Sequence, residues 1–144
     1  MKIWNEIWDY VKMIIIVVVV VLFVNNFILI NAKIPSESME NTIMTKSRVI
    51  GSRLSYLTDD PERGDIVIFH YPDDESVYYV KRVIAVPGDT VLIQNGAVYV
   101  NGELFDEKVD VSAIEEAGLA SEELKLEDDE YFVLGDNRNN SEDS

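Results

Sequence analysis

The sequence contains no cysteine. Disulfides, thiolate metal sites and a cysteine nucleophile are excluded together, and the absence fits a compartment where free thiols are a liability. Histidine is almost missing too, because His70 is the only one. Basic residues are scarce, 12 Lys+Arg against 27 Asp+Glu, for a formal charge of −15. A surface this acidic repels phosphates, which argues against nucleic acid as a partner. The excess reads instead as solubility in a salty or surface-exposed setting. Residues 1–12 are neutral, with Lys2 and Lys12 against Glu6 and Asp9, so the excess lies downstream. At 144 residues the chain allows one domain with a modest core, preceded by about thirty residues of another kind.

What the chain does have is a long apolar run. Residues 13–24 are unbroken, and after Asn25-Asn26 the run resumes as Phe27-Ile28-Leu29-Ile30. Eighteen residues of helix rise roughly 27 Å, close to the hydrocarbon thickness of a bilayer. Valine and isoleucine crowd this run, but backbone groups in lipid must bond internally, so helix wins. Trp4, Trp8 and Tyr10 suit an interfacial belt just before it. A cleavable signal sequence is the competing reading. Glu6 and Asp9 in the leading segment and the continuation past the asparagines count against it. The expectation is a segment 1–12, an uncleaved anchor over 13–31 and a domain over 32–144. Lys2 and Lys12 on one side against Lys33, Lys46 and Arg48 on the other leave its orientation open.

From Lys33 onward the chain reads as β. Strands are expected over 48–57, 65–69, 77–86, 90–94, 97–100 and 131–134. Asn95-Gly96 and Asn101-Gly102 mark tight turns, since the central residues need positive φ. Residues 106–130 break the pattern with an acidic stretch. Ser112-Ala113-Ile114-Glu115 matches a capping box and Gly118 a helix stop, predicting one or two short helical turns peripheral to the core. The polar loop 135–144 opens like a calcium loop, but Arg138 stands where a ligand is wanted. No metal or cofactor is expected.

The stretch with chemistry in it is Ile34-Pro35-Ser36-Glu37-Ser38-Met39, a few residues beyond the apolar run. A serine attacks only if something removes its proton. His70 sits at a predicted strand end with no carboxylate marked as its orienter, which disfavours a Ser-His-Asp arrangement. Period-2 alternation puts Val77, Tyr79, Lys81, Val83 and Ala85 on one strand face, with Lys81 the only charge in the row. A lysine among apolar neighbours is desolvated, which favours the neutral amine that can act as base. The plainer reading is that Lys81 snorkels out of a half-buried sheet. A Ser-Lys dyad is thus the acyl-transfer option, one serine attacking and the other steadying the oxyanion. The pattern does not say which serine does which.

Four stretches together resemble bacterial type I signal peptidase, the Ser-Lys membrane protease. They are Pro35-Ser36-Glu37-Ser38-Met39, Gly64-Asp65-Ile66-Val67-Ile68-Phe69, the stretch around Tyr79-Val80-Lys81-Arg82-Val83, and Gly135-Asp136-Asn137-Arg138 with Ser141, Asp143 and Ser144. The resemblance covers the chain except the 106–130 insertion. It implies an antiparallel β domain with barrel-like coiled sheets, outside the cytoplasmic membrane of a bacterium and anchored by one helix. It implies Ser38 as nucleophile, Lys81 as general base, and Ser36 with the Ser38 backbone N–H as oxyanion hole. Ser141 would orient the Lys81 amine, Asp143 would support the site, and Ile34 and Val80 would shape a pocket for alanine. The partners implied are secretory preproteins cut after Ala-x-Ala, and membrane lipid. Asn41 and Glu37 stand where many members have proline and glycine. Members also continue past the final serine into an arginine and a further strand, so low activity or stability is expected of the chain as it stands. Two other readings are a self-cleaving Ser-Lys protease of the SOS-repressor type and a non-catalytic anchored β module. Ala117-Gly118 lies after both Ser38 and Lys81, which disfavours the first.

Overall fold

The structure is a computed structural model that describes residues 2–34, 36–72, 74–107 and 109–141. Helix α1 spans Lys2–Phe23 and continues through a π-helical turn, Val24–Ile28, that contains Asn25 and Asn26. The apolar helical span Ile3–Ile28 is 26 residues long and none of its apolar window is buried inside the protein. Such a length rises roughly 39 Å, enough to cross a hydrocarbon layer with some tilt. Over residues 13–23 the helix is apolar all round and every residue is exposed, which matches lipid as its solvent.

Helix gives way to strand earlier than hydropathy suggested. Strand β1, Leu29–Lys33, pairs antiparallel with β2, Arg48–Ser52, in a register that sets Leu29 against Ser52 and Lys33 against Arg48. Leu29 and Ile30, expected in the helix, therefore open the sheet instead. Apolar side chains suit either state, and here the hydrogen bonds of a partner strand decide. Residues 53–57, expected to prolong β2, turn away, with the Leu54 N–H donating to Ser52 Oγ at 3.2 Å.

The remaining strands form two further antiparallel sheets. Strands β3 (Ile66–Tyr71), β4 (Asp74–Ala85) and β9 (Phe132–Leu134) lie in the order β3-β4-β9. Strands β5 (Thr90–Gln94), β6 (Ala97–Val100), β7 (Glu103–Leu104) and β8 (Leu124–Lys125) lie in the order β7-β6-β5-β8. The Asn95-Gly96 and Asn101-Gly102 turns carry positive φ at all four residues, the conformation Asn and Gly tolerate best. The fold is mainly β and antiparallel behind one apolar helix, and no sheet closes into a barrel among the described residues. The main core joins Ile84, Val91, Val98 and Phe132, and a smaller cluster joins Ile34, Met39 and Val80.

The 106–130 stretch is less helical and less peripheral than expected. Its described residues hold one 3-10 turn, Gly118–Ser121, which Gly118 begins rather than ends. At the capping-box residues, tertiary partners take the backbone groups a helix would use. Ile114 N–H donates to Gly96 O, Glu115 N–H to Asn139 Oδ1, and Asn139 Nδ2 to Ala113 O. Ala120 and Leu126 enter the main core, and β8 extends the larger sheet beside β5.

Candidate active site

Residues 36–43 form a tight loop pinned by Met39, which is wholly buried. Thr42 N–H and Ile43 N–H both donate to Met39 O, and Asn41 supplies the left-handed residue the turn needs, at φ 83°. Ser38 enters this turn 6% exposed, its hydroxyl 3.1 Å from that of Ser36. From the other side β4 delivers Lys81, 2% exposed, whose Nζ donates to Ser141 Oγ at 2.5 Å. The Tyr79 ring, on the same face of β4, has its centre 5.6 Å from Lys81 Nζ. Both faces of β4 are covered, so every residue from Val80 to Ala85 is buried. Lys81 does not snorkel.

Ser36, Ser38, Lys81 and Ser141 line one cleft of about 700 Å³. Ile34 and Val80 line it too, as a floor packed on Met39. Six of the seven residues singled out in the sequence thus meet at one place. The seventh, Asp143, lies outside the described residues. His70 is exposed at the end of β3, its Nδ1 2.5 Å from Glu75 O and its ring against Tyr78. It is not among the residues of the cleft.

Sequence reasoning missed the frame behind these side chains. Arg82, next to Lys81 but on the opposite face, donates from Nε and Nη2 to the two oxygens of Asp136 at 2.8 and 2.7 Å. Thr42 Oγ1 donates to the same carboxylate at 2.5 Å, and Arg82 Nη1 to Gly64 O. Burial alone would raise the Asp136 carboxyl. The hydrogen bonds from Arg82 and Thr42, with the charges of Arg82 and Arg138, hold it below its ordinary value instead. The Asp136 hydrogen bond raises the Arg82 guanidinium above its own. Asp136, which opens the calcium-like stretch, thus has both oxygens committed to protein partners.

The loop from Gly135 to Ser141 is also fastened to the serine loop. Asn137 N–H donates to Ser38 O at 2.9 Å, Asn137 Nδ2 to Glu37 O, and Asn140 Nδ2 to Glu37 Oε2. Arg138, almost wholly buried, makes a bidentate pair with Glu107 at 2.7 Å and donates to Gly135 O. The Arg82–Asp136 pairing lies 54 residues apart in sequence, so no local spacing announces it. Tyr79 was accessible, because it shares the alternation that singled out Lys81.

Residues 7–144 match the family model described as signal peptidase, peptidase S26. The chain belongs to the signal peptidase family. Its members are peptidases, hydrolases of the peptide bond. A probable signal peptidase I-2 of Synechocystis sp. is 44% identical over 117 residues, covering 77% of this chain and 52% of that protein. The signal peptidase I P of Bacillus subtilis subsp. natto is 34% identical over 151 residues, covering 97% of this chain and 79% of that protein. The chain thus spans about half the length of the first relative and about four fifths of the second. A crystal structure of a signal peptidase I from Enterococcus faecalis V583 aligns at a TM-score of 0.46 and 29% identity, over 60% of this chain and 85% of that one.

Proposed function

We propose that this signal peptidase family member removes N-terminal signal peptides from exported preproteins after Ala-x-Ala, through a Ser38–Lys81 dyad. The observation that carries the proposal is the burial of Lys81 in the cleft that holds the Ser36–Ser38 pair, its amine directed by Ser141. A site so poorly hydrated disfavours an ammonium ion. The neutral amine takes the Ser38 hydroxyl proton as Oγ attacks the carbonyl that follows the small side chain. The oxyanion that forms accepts hydrogen bonds from the Ser36 hydroxyl and the Ser38 backbone N–H. Collapse breaks the peptide bond, and the Lys81 ammonium gives its proton to the departing amine. Water, deprotonated by Lys81 in turn, then releases the signal peptide from Ser38.

Ser141 accepts from Lys81 Nζ and so aims the nitrogen lone pair, and Asp143 is assigned a supporting role behind it. Ile34 and Val80, at the floor of the cleft, limit the residue before the cut to a small side chain. The chemistry calls for no metal or cofactor. We place residues 1–12 in the cytoplasm, the apolar helix in the membrane and the β domain outside it.

The test is cleavage of a purified preprotein bearing Ala-x-Ala by the full chain in detergent micelles, beside Ser38→Ala and Lys81→Met. Cleavage after the final alanine by the parent and none by either variant is the expected result. Undiminished cleavage by either variant would overturn the dyad, and a silent parent would favour a non-catalytic anchored module.

A further inference from the structure

We propose that Glu37 reads the first two positions after the cut, selecting against acidic side chains there and in favour of basic ones. The proposal deepens the Ser38–Lys81 reading and rests on it for the direction in which the substrate lies.

Among the described residues that line the cleft, three carry charged side chains: Glu37, Lys46 and Lys81. Lys81 is buried and serves the chemistry. The other two are exposed, and each is fastened to a different part of the cleft. Lys46 N–H donates to Ile34 O at 3.0 Å, which sets that residue beside the floor. Glu37 Oε2 accepts from Asn140 Nδ2 at 3.0 Å. Asn140 directly precedes Ser141, whose Oγ accepts from Lys81 Nζ. The carboxylate is thereby held at the side of the cleft where Lys81 and Ser141 meet.

The reaction gives these two sides a direction. Ile34 and Val80 take the small side chain before the cut, so the signal peptide lies over the floor. Lys81 hands its proton to the departing nitrogen, so the chain that follows the cut leaves past Lys81 and Ser141. An extended chain advances about 3.3 Å per residue, which brings the first two residues after the cut within reach of a carboxylate adjacent in sequence to the nucleophile. An acidic side chain there meets a like charge, and a basic one finds a partner. At an exposed site such an interaction is screened by salt and modest, a matter of several-fold in rate rather than an absolute block.

The serine loop itself makes little use of this carboxylate. Residue 37 is fastened through its backbone, since Glu37 O accepts from Glu40 N–H at 3.0 Å and from Asn137 Nδ2 at 3.1 Å. Its side chain makes one hydrogen bond, and the second carboxylate oxygen has no partner among the described residues. Ser36 and Ser38 turn their hydroxyls toward each other, whereas the residue between them turns toward Asn140. The serines are thus engaged with one another while Glu37 is left facing the departing chain. The net charge of −15 attracts a basic segment from any direction, so the effect of Glu37 must be confined to the positions it reaches.

The test is cleavage, by the full chain in detergent micelles, of purified preproteins that differ in a single residue. That residue is Lys or Asp at the first, second or tenth position after the final alanine. At the first or second position the parent should show a kcat/KM at least about fivefold higher for Lys than for Asp. Glu37→Gln, which keeps an acceptor for Asn140, should bring that ratio close to one, and Glu37→Lys should reverse it. Ratios taken on one protein cancel any loss of folded enzyme. At the tenth position the ratio should be small in all three forms, because only the screened overall field acts there. A parent ratio near one at both near positions, or a ratio that Glu37→Gln leaves unchanged, would overturn the proposal. A parent that cuts none of the preproteins would instead remove the cleavage reading. Binding of the same preproteins to the Ser38→Ala form, followed by fluorescence anisotropy, then reports on Glu37 alone. Tighter binding of the Lys than of the Asp preprotein, lost when Glu37→Gln is added, sustains the role of Glu37, and equal affinity overturns it.

Discussion

Gly135 leaves no room for a side chain. A Cβ there would fall well inside contact distance of Ser141 Oγ and of the Ser38 carbonyl oxygen. The glycine lets the serine loop and the loop bearing Ser141 approach closely, which a backbone clash cannot accommodate cheaply. Gly135→Ala should therefore lower kcat/KM on a preprotein by at least about tenfold, equivalent to roughly 1.4 kcal/mol. A variant within twofold of the parent would show that the approach is incidental. Asp136 makes a different prediction. Its folded pKa lies below the ordinary value of 3.8, so the unfolded chain takes up its proton first as pH falls. The stabilisation is complete above about pH 4 and drains away below it, toward the lower folded value. Asp136→Asn should melt lower than the parent at pH 7, because Arg82 is left buried without a charge partner. Its melting temperature should also depend less on pH below 4, which circular dichroism melts between pH 7 and pH 3 would check. Equal slopes in acid would assign the acid sensitivity to other carboxylates, Asp89 first among them. Burial would raise Asp89, yet hydrogen bonds from Arg63, Val86 N–H and Asn101 hold it low as well.

Among the elements, the stretch after β7 is fastened to the cleft through Arg138. The guanidinium is 1% exposed and Glu107 22% exposed, so loss of the carboxylate strands a buried charge. Glu107→Ala should cost about 3 kcal/mol of unfolding free energy, and Glu107→Gln less, because hydrogen-bond acceptance survives. Denaturant melts would measure both, and a cost near zero for Glu107→Ala would mean that water replaces the carboxylate. This fastening could not be read from the sequence, where residues 106–130 look like a solvated acidic insertion. The same limit hid the Arg82–Asp136–Thr42 frame, whose members stand on three distant segments. What could be read was local. Asn95-Gly96 and Asn101-Gly102 demand positive φ wherever they fall, and alternation along 77–85 singles out Lys81 before any partner is known. The end of the helix was misjudged because Leu29 and Ile30 suit a membrane helix and a half-buried strand equally. Only the pairing with Gly51 and Ser52 separates the two.

At the scale of the molecule, the apolar helix and the β domain answer to different solvents. No side chain in the apolar window of the helix is buried inside the protein, and both hydrophobic clusters draw only on residues from Ile34 onward. Removing residues 1–28 therefore takes no member from either cluster, and the ties at the junction include the hydrogen bonds of Arg53 N–H to Ile28 O and of Leu29 N–H to Val24 O. Those residues hold Lys2 and Lys12 against Glu6 and Asp9, so the remainder keeps the whole net charge of −15. A domain so charged resists association in water. The 29–144 form is therefore expected to be soluble without detergent and to show the β circular dichroism of the full chain with the helical contribution subtracted. Its melting temperature should lie within a few degrees of that of the full chain in micelles, since little of the packing is shared. Aggregation or loss of β signal in the shortened form would mean that the helix supports the β1–β2 ribbon as well as holding it at the bilayer. Because that ribbon flanks the serine loop on both sides in sequence, the cleft itself would then depend on the membrane for its shape.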